Sequence, residues 1–290
     1  MFLKNRISKT IQVIITLSSF FYFIYFIQNN IELLKNIVNI NIFEISLILI
    51  LKILNILFLS NININILKYL NIVLPQLESI NITVKNTLGN LTTPLKLGTG
   101  YKISYLKDNY GIKITDFIFW NTIFSIINLI LIVFVFIFYS LFIKAPFIFG
   151  NESISIILFF TFLIFLFLIS KSTVLKSRLK KFRYFSKRNF LIQISNFLYF
   201  ISSCLIVFVI ASNFTTELQF YSSVSYNTLN SFVNLINLTP GNVGVKETIL
   251  IIFNNIHQMS FQVVIITSAI ERLLTLICLF IVQVLIKSRN

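Results

Sequence analysis

The sequence predicts an all-α polytopic membrane protein with about six transmembrane helices and two re-entrant helical hairpins, arranged as an inverted repeat. Three observations carry that prediction. Hydrophobic residues make up 57% of the 290-residue chain and charged ones 11%, proportions of a chain solvated by bilayer and not of a water-bathed domain. Apolar runs recur at bilayer-spanning length. Proline and glycine, only four and seven in the whole chain, gather at two interruptions of that apolar material.

Taken in order, the runs that pass the length test are Ile11 to Ile27, Ile42 to Leu59, Phe117 to Ile143, Ile154 to Ile169, Phe190 to Ala211 and Phe261 to Ile286. Lys4, Arg6 and Lys9 stand before the first run as in a signal peptide. That run ends in Gln28-Asn29-Asn30-Ile31 with no small-residue cleavage site, so it is expected to stay as an uncleaved span. Two interrupted apolar regions are left over, Leu70 to Tyr105 and Tyr221 to Ile256.

Basic residues set the orientation. Lys171, Lys176, Arg178, Lys180, Lys181, Arg183, Lys187 and Arg188 follow one another with no acid among them, which places the link between crossings four and five in the cytoplasm. Lys4, Arg6 and Lys9 at one end, and Lys287 and Arg289 at the other, put both termini on the same side, at a cell (inner) membrane. The links Gln28 to Asn41 and Lys144 to Ser153 carry balanced charge and suit the outer face. The net charge of +15 therefore reads as a positive-inside anchor that also attracts anionic headgroups, with no nucleic-acid partner expected.

With six crossings, each leftover region must enter and leave on one face. Leu70 to Tyr105 is expected to dip in from the cytoplasm and Tyr221 to Ile256 from outside. A single domain, 1–290, then divides into halves of about 1–143 and 144–290 with opposite topology. Such repeats place their substrate near the midplane, where broken helices meet. Counting either hairpin as a span gives seven or eight crossings and puts a basic end on the wrong face. For the second region, an ordinary loop between two short spans remains the alternative.

The first hairpin carries Asn90, Pro94, Lys96, Gly98 and Lys102, spaced as a turn followed by a helix start with Lys102 in its first or second turn. The free N–H groups of a helix start, with lysines beside them, favour an anion such as a lipid phosphate. The second hairpin repeats the scheme: Pro240-Gly241-Asn242-Val243-Gly244 turns the chain, and Lys246 and Glu247 open the next half-helix, where Glu247 can cap or pair with a cation. The alternative is that these lysines only snorkel to the interface, and for Lys96 that is the expected behaviour.

These residues resemble a known family. Asn90, Pro94, Lys96, Gly98 and Lys102 are similar to its N-x-x-x-P-x-R-x-G-x-x-x-R signature, and Pro240 to Glu247 to its P-x-G-G-x-G-x-x-E signature. The family is the lysylphosphatidylglycerol synthase transmembrane region, the flippase-like membrane half of the multiple-peptide-resistance proteins and their stand-alone relatives. The resemblance covers essentially the whole chain. It implies a flippase-like membrane domain that takes a membrane phospholipid or lipid-linked phosphate, with both motifs in its binding site. Departures are Thr99 where an acid is common, lysines for arginines at 96 and 102, and Asn242 where glycine is usual. Lysine offers a point charge and no bidentate fork, so a looser phosphate grip follows. The sequence ends at Asn290, just after the last crossing, so the aminoacyl-transfer domain is expected to be absent and synthase activity does not carry over.

Glu271 and Arg272 fall near the middle of the last crossing, where an unpaired charge costs about 3 kcal/mol or more. They need partners: Glu247 suits Arg272, and Lys246 suits Glu271. Lys52, accompanied by Asn55, is the other intramembrane cation. Enzyme chemistry is missing: there is no Ser/His/Asp set, no phosphate loop and no clustered carboxylates. Cys204 and Cys278 lie in apolar runs, which argues against a disulfide or metal site. No cofactor is expected, and His257, alone on a polar turn, is expected to be solvated. The function expected is movement of an anionic or lipid-linked phosphate headgroup across the bilayer. The alternative is a membrane subunit or assembly partner of an envelope lipid-modifying or glycosylation enzyme; a homodimer or a partner enzyme is compatible with either.

Overall fold

The computed structural model describes residues 40–93, 96–143, 187–215, 218–236 and 239–288. Within them the chain is helical: α1 (Ile42–Lys68), α2 (Gln76–Thr92), α3 (Leu97–Tyr110), α4 (Ile114–Ile143), α5 (Lys187–Ser212), α6 (Phe220–Ile236), a 3-10 turn (Pro240–Asn242), α7 (Val245–Ile252), the short α8 (Asn254–His257) and α9 (Phe261–Lys287). Among the described residues four stretches are long and apolar enough to cross a membrane: Ile42–Lys68, Ile114–Tyr139, Arg188–Ser212 and Phe261–Lys287. They coincide with four of the six predicted crossings. The predicted crossings Ile11 to Ile27 and Ile154 to Ile169 lie outside the described residues.

Beside a buried apolar core, large apolar side chains also stand at the surface and several polar ones are buried. Phe43 is 79% exposed and Phe280 68%, while Lys52, Asn55, Asn63, Lys102, Lys246 and Glu247 are buried. A solvent of hydrocarbon explains both: apolar side chains lose nothing by facing lipid, and polar ones must find partners inside. It also explains why α1 runs past the predicted end at Leu59 to Lys68. Asn63 and Asn65, in the added turns, turn inward, where Asn63 donates to the Thr83 hydroxyl at 2.9 Å and Asn65 to the Asn61 carbonyl at 2.9 Å.

α1 starts at Asn41, whose side chain accepts from the Phe43 N–H at 3.1 Å while Glu44 reaches back to the Asn41 N–H at 3.3 Å, a reciprocal cap. From there α1 runs antiparallel to α5 along a ladder of polar contacts. Asn213 donates to Glu44 at 2.9 Å, Asn55 to Ser203 at 3.3 Å, Asn61 to Ser195 at 2.7 Å, and Arg188 to the Lys68 carbonyl at 3.0 Å. Between bilayer helices, small hydroxyls and amides of this kind supply the adhesion that the hydrophobic effect cannot. Ile48, Ile206, Ile210, Ile266 and Ile270 fill the space where α1, α5 and α9 meet.

α2 and α3 fold back on one another as a helical hairpin. Gly98 makes this possible: a Cβ there would sit 2.0 Å from the Asn86 carbonyl oxygen, and one on Gly89 would sit 2.6 Å from the Gly98 Cα. Gly111, with φ of 63°, ends α3, later than the predicted Tyr105. At the open end Tyr105 and Tyr110 both donate to the Glu78 carboxylate, at 2.7 and 2.6 Å. The second hairpin, α6 followed by α7 and α8, packs Tyr226 and Leu250 against Val207, Val263 and Val264 of α5 and α9. Its outgoing arm, predicted as one half-helix to Ile256, breaks after Ile252. His257 stabilises the break and is buried, contrary to the expectation of a solvated residue. Its Nε2 lies 2.7 Å from the Leu250 carbonyl oxygen, and its Nδ1 accepts from the Met259 N–H at 3.1 Å.

The tips of the two hairpins touch. Leu91, near the end of α2, lies so close to the 3-10 turn that a Cβ on Gly241 would be 3.3 Å from both its carbonyl oxygen and its Cδ2. Leu88 and Leu91 also pack on Cys278, Leu279 and Val282 of α9. The order span, hairpin, span thus occurs twice, as α1, α2–α3, α4 and as α5, α6–α8, α9.

Candidate functional site

The turn between α6 and α7 needs left-handed backbone at three positions: Gly241 (φ 55°), Asn242 (φ 57°) and Gly244 (φ 81°). Glycine reaches this region freely, and asparagine is among the few other residues that do so at small cost, so Asn242 can stand where glycine is usual. Its side chain adds a donor bond to Asn234 at 3.0 Å, and Thr239 donates to the Val243 carbonyl at 2.7 Å. The chain emerges aimed so that Lys246 and Glu247 project from the first turn of α7 toward α9.

Glu247 performs both of the roles open to it. One carboxylate oxygen accepts the Gly244 N–H at 2.8 Å, closing the start of α7; the other pairs with Arg272 Nη1 at 2.8 Å and accepts the Ser268 hydroxyl. Lys246 pairs with Glu271 at 2.7 Å, and Lys52, from α1, reaches the other oxygen of the same carboxylate at 3.3 Å. Three cations thus share two carboxylates, all largely buried. Buried charges persist only in such company, because removing a partner exposes the full cost of desolvating the one left behind. Lys246 also lies 5.1 Å over the ring of Tyr226. Arg272 Nη2 is buried with no hydrogen-bond partner among the described residues.

The first hairpin's motif builds mainly structure. Asn90 uses both ends of its amide on Thr99, accepting its N–H at 3.1 Å and donating to its hydroxyl at 3.2 Å, which ties the end of α2 to the start of α3. Gly98 permits the close backbone approach. Lys102 is buried and donates to the side-chain amide oxygen of Asn63 at 2.5 Å, and it lies 5.0 Å over the ring of Phe117. Pro94 lies outside the described residues. Lys96 takes the left-handed φ of 56° immediately before α3 and borders a cavity.

That cavity encloses about 290 Å³ between α4, α5 and α6. α6 contributes Asn227, Asn230, Ser231 and Asn234, spaced i, i+3, i+4, i+7 and hence on one face. α4 faces it with Ser125, Asn128, Leu129 and Ile132, and α5 with Tyr199, Phe200 and Ser203. Lys96 and Glu271 complete the lining, joining the cavity to the first hairpin and to the ion-pair cluster. Of the residues predicted for the site, the structure brings Lys246, Glu247, Glu271 and Arg272 into one network and Lys96 to the same cavity as Glu271. Asn90, Gly98, Gly241 and Gly244 shape the two breaks, Pro240 opens the 3-10 turn, and Lys102 stands apart. The amide and hydroxyl wall escaped the sequence reading, although the spacing on α6 is a signal that could have found it.

Lined in this way, the cavity can hold a polar group of modest size beside one cation and one anion, while Leu129, Ile132 and Phe200 offer apolar surface. No group of three or more His, Cys, Asp or Glu residues able to hold a metal is found among the described residues. The family model described as the lysylphosphatidylglycerol synthase TM region matches residues 10–282. No curated protein and no solved structure matches the chain.

Proposed function

Because the chain belongs to the lysylphosphatidylglycerol synthase TM region family, we propose that it is a flippase-like transporter, carrying an anionic or lipid-linked phosphate headgroup across the bilayer while the acyl chains stay in lipid. Membership makes a membrane-embedded, lipid-related role the starting point. The observation that carries the finer reading is the polar cavity of about 290 Å³ bordered by Lys96 and Glu271. Irregular backbone at membrane depth is tolerated where it faces such a cavity, and transporters with broken helices keep their substrates there.

In this reading α2–α3 and α6–α8 enter from opposite faces as re-entrant hairpins. Their halves, about 1–143 and 144–290, form an inverted repeat with both termini cytoplasmic. The antiparallel packing of α1 on α5, equivalent elements of the two halves, supports that arrangement, as does the meeting of the two tips at Gly241 and Leu91. A headgroup would enter from one leaflet and rest against the α6 wall near Lys96. It would leave as one hairpin shifts against the α9 ion pairs.

The test is translocation of headgroup-labelled phospholipids by the purified protein in vesicles. Transport that falls to the protein-free rate in Lys96→Ala and Arg272→Gln variants supports the reading. Transport unchanged by both would instead favour an assembly role beside an envelope enzyme.

A further inference from the structure

Resting on the translocation reading, we propose that an anionic headgroup enters the cavity together with a proton, which Lys52 gains as the anion arrives and loses as it leaves. The balance of charges in the buried cluster carries the argument. Among the described residues Lys52, Lys246 and Arg272 are paired with Glu247 and Glu271, so with every group ionised the cluster holds one positive charge too many. A surplus charge at membrane depth is costly and calls for neutralisation. Two routes exist: an anion from outside the chain, or release of a proton by one of the cations. They exclude each other, since a lysine that has become an amine leaves no surplus for an anion to cancel. The anion therefore raises the cluster's affinity for the proton, and the proton raises its affinity for the anion by the same factor.

The geometry singles out Lys52 as the group that changes. A guanidinium keeps its proton in a protein, which removes Arg272 from the choice. Lys246 holds Glu271 at 2.7 Å and lies 5.1 Å over the Tyr226 ring, two interactions that favour an ammonium. Lys52 reaches the other oxygen of Glu271 at 3.3 Å, a contact across which a neutral amine can still donate. The titratable groups around it are Glu271 and Cys278 of α9 and Lys246 of α7, with Tyr199 of α5 and Tyr226 of α6 beside Glu271 and Lys246. Glu271 also lines the cavity, which makes it the relay: a carboxylate oxygen takes a proton from cavity water and hands it to the Lys52 amine, and the reverse sequence returns it. Because Lys246 cancels Glu271, and Glu247 cancels Arg272, what the cavity senses of the cluster is set by Lys52, one positive charge as the ammonium and none as the amine. A headgroup with one negative charge then travels with one proton and moves no net charge.

The experiment measures binding and proton uptake, so it reads separately from transport. The full-length protein in detergent is titrated with dihexanoyl phosphatidylglycerol, a phosphodiester with one charge that does not titrate near neutrality, in weakly buffered solution with a pH indicator. Uptake should approach about one proton per lipid bound, and affinity should fall as pH rises between about 6 and 9, by at most about tenfold per pH unit. Lys52→Arg, which cannot shed its proton, should bind with no uptake and no pH dependence. Lys52→Met, which leaves Glu271 paired with Lys246, should bind at least about tenfold more weakly than Lys52→Arg, again without uptake. Should Lys52→Arg fail to fold, loss of uptake in Lys52→Met decides. Lipid bound by the wild type with no proton taken up, or uptake that persists in Lys52→Met, overturns the proposal and leaves the transport reading standing. No saturable binding by any of the three proteins overturns both. Proton-linked binding without translocation in vesicles sinks the transport reading alone.

Discussion

At the first hairpin, a Cβ on Gly98 would collide with the Asn86 carbonyl oxygen at 2.0 Å; at the second, Glu247 grips Arg272 at 2.8 Å while Lys246 grips Glu271 at 2.7 Å. The first is held by backbone proximity and a neutral amide staple, the second by ion pairs to a neighbouring span. Close packing has one good arrangement, so α2–α3 is suited to act as a fixed wall. Ion pairs instead hold by charge and tie α6–α8 to the span beside it, so its grip depends on every partner staying in place. The contact between Gly241 and Leu91 lets one hairpin register the position of the other.

The largest effect expected on that contrast comes from Glu247→Leu, which leaves Arg272 buried without its carboxylate. We expect a loss of about 3–5 kcal/mol, read as a fall in the thermal midpoint in detergent. The double change Glu247→Leu with Arg272→Leu should recover most of that stability and still abolish transport, because it removes the charge along with the debt. Gly98→Ala should follow, at about 3 kcal/mol or more, since no rotamer relieves a clash with backbone. Its control is Gly100→Ala, two residues on in the same helix, where a Cβ meets nothing within 4 Å. That change should stabilise by about 0.5–1 kcal/mol through helix propensity. A comparable loss at both glycines would show that packing at Gly98 is not what closes the hairpin.

Asn90→Ala should cost about 1 kcal/mol, the value of a neutral staple, and should leave the α9 ion pairs in place. The contrast is sharpened by acid. His257 lies outside the four spans, its Nδ1 accepts the Met259 N–H, and burial pushes its imidazole below the usual value. A group neutral in the fold and more basic when unfolded contributes stability above about pH 6.5 that is lost as pH falls through the unfolded and then the folded value. Unfolding midpoints measured between pH 7.5 and 5 should therefore decline, and His257→Gln should flatten the decline. An equally steep decline in that variant would assign the acid sensitivity elsewhere.

What the sequence made legible was what hydrocarbon enforces. Four spans could be read because a bilayer demands length and apolarity, and they ended near the expected residues except where inward-facing Asn63 and Asn65 prolonged α1. The pairs of Glu247 with Arg272 and of Lys246 with Glu271 were legible because charges at that depth must find partners, and motif and span offered few candidates. Lys52 joining Glu271 was not, since nothing in the spacing says that α1 crosses α9 at that level. The amide wall was hidden for a different reason: in a chain this rich in asparagine, Asn128 or Asn230 carries little information alone. His257 was misread because its partners, the Leu250 carbonyl and the Met259 N–H, are backbone groups that a residue pattern does not display.

The most direct test of the central claim, a wettable cavity between α4, α5 and α6, is thiol accessibility at Asn230→Cys with Cys204 and Cys278 replaced by serine. In sealed vesicles, a charged, membrane-impermeant thiol reagent should modify that cysteine and be slowed by added substrate lipid, while Leu250→Cys, fully buried in the same hairpin, should stay unmodified. A cysteine at 230 as unreactive as the one at 250, with reagent supplied on either side, would mean that the cavity is closed and would contradict the account.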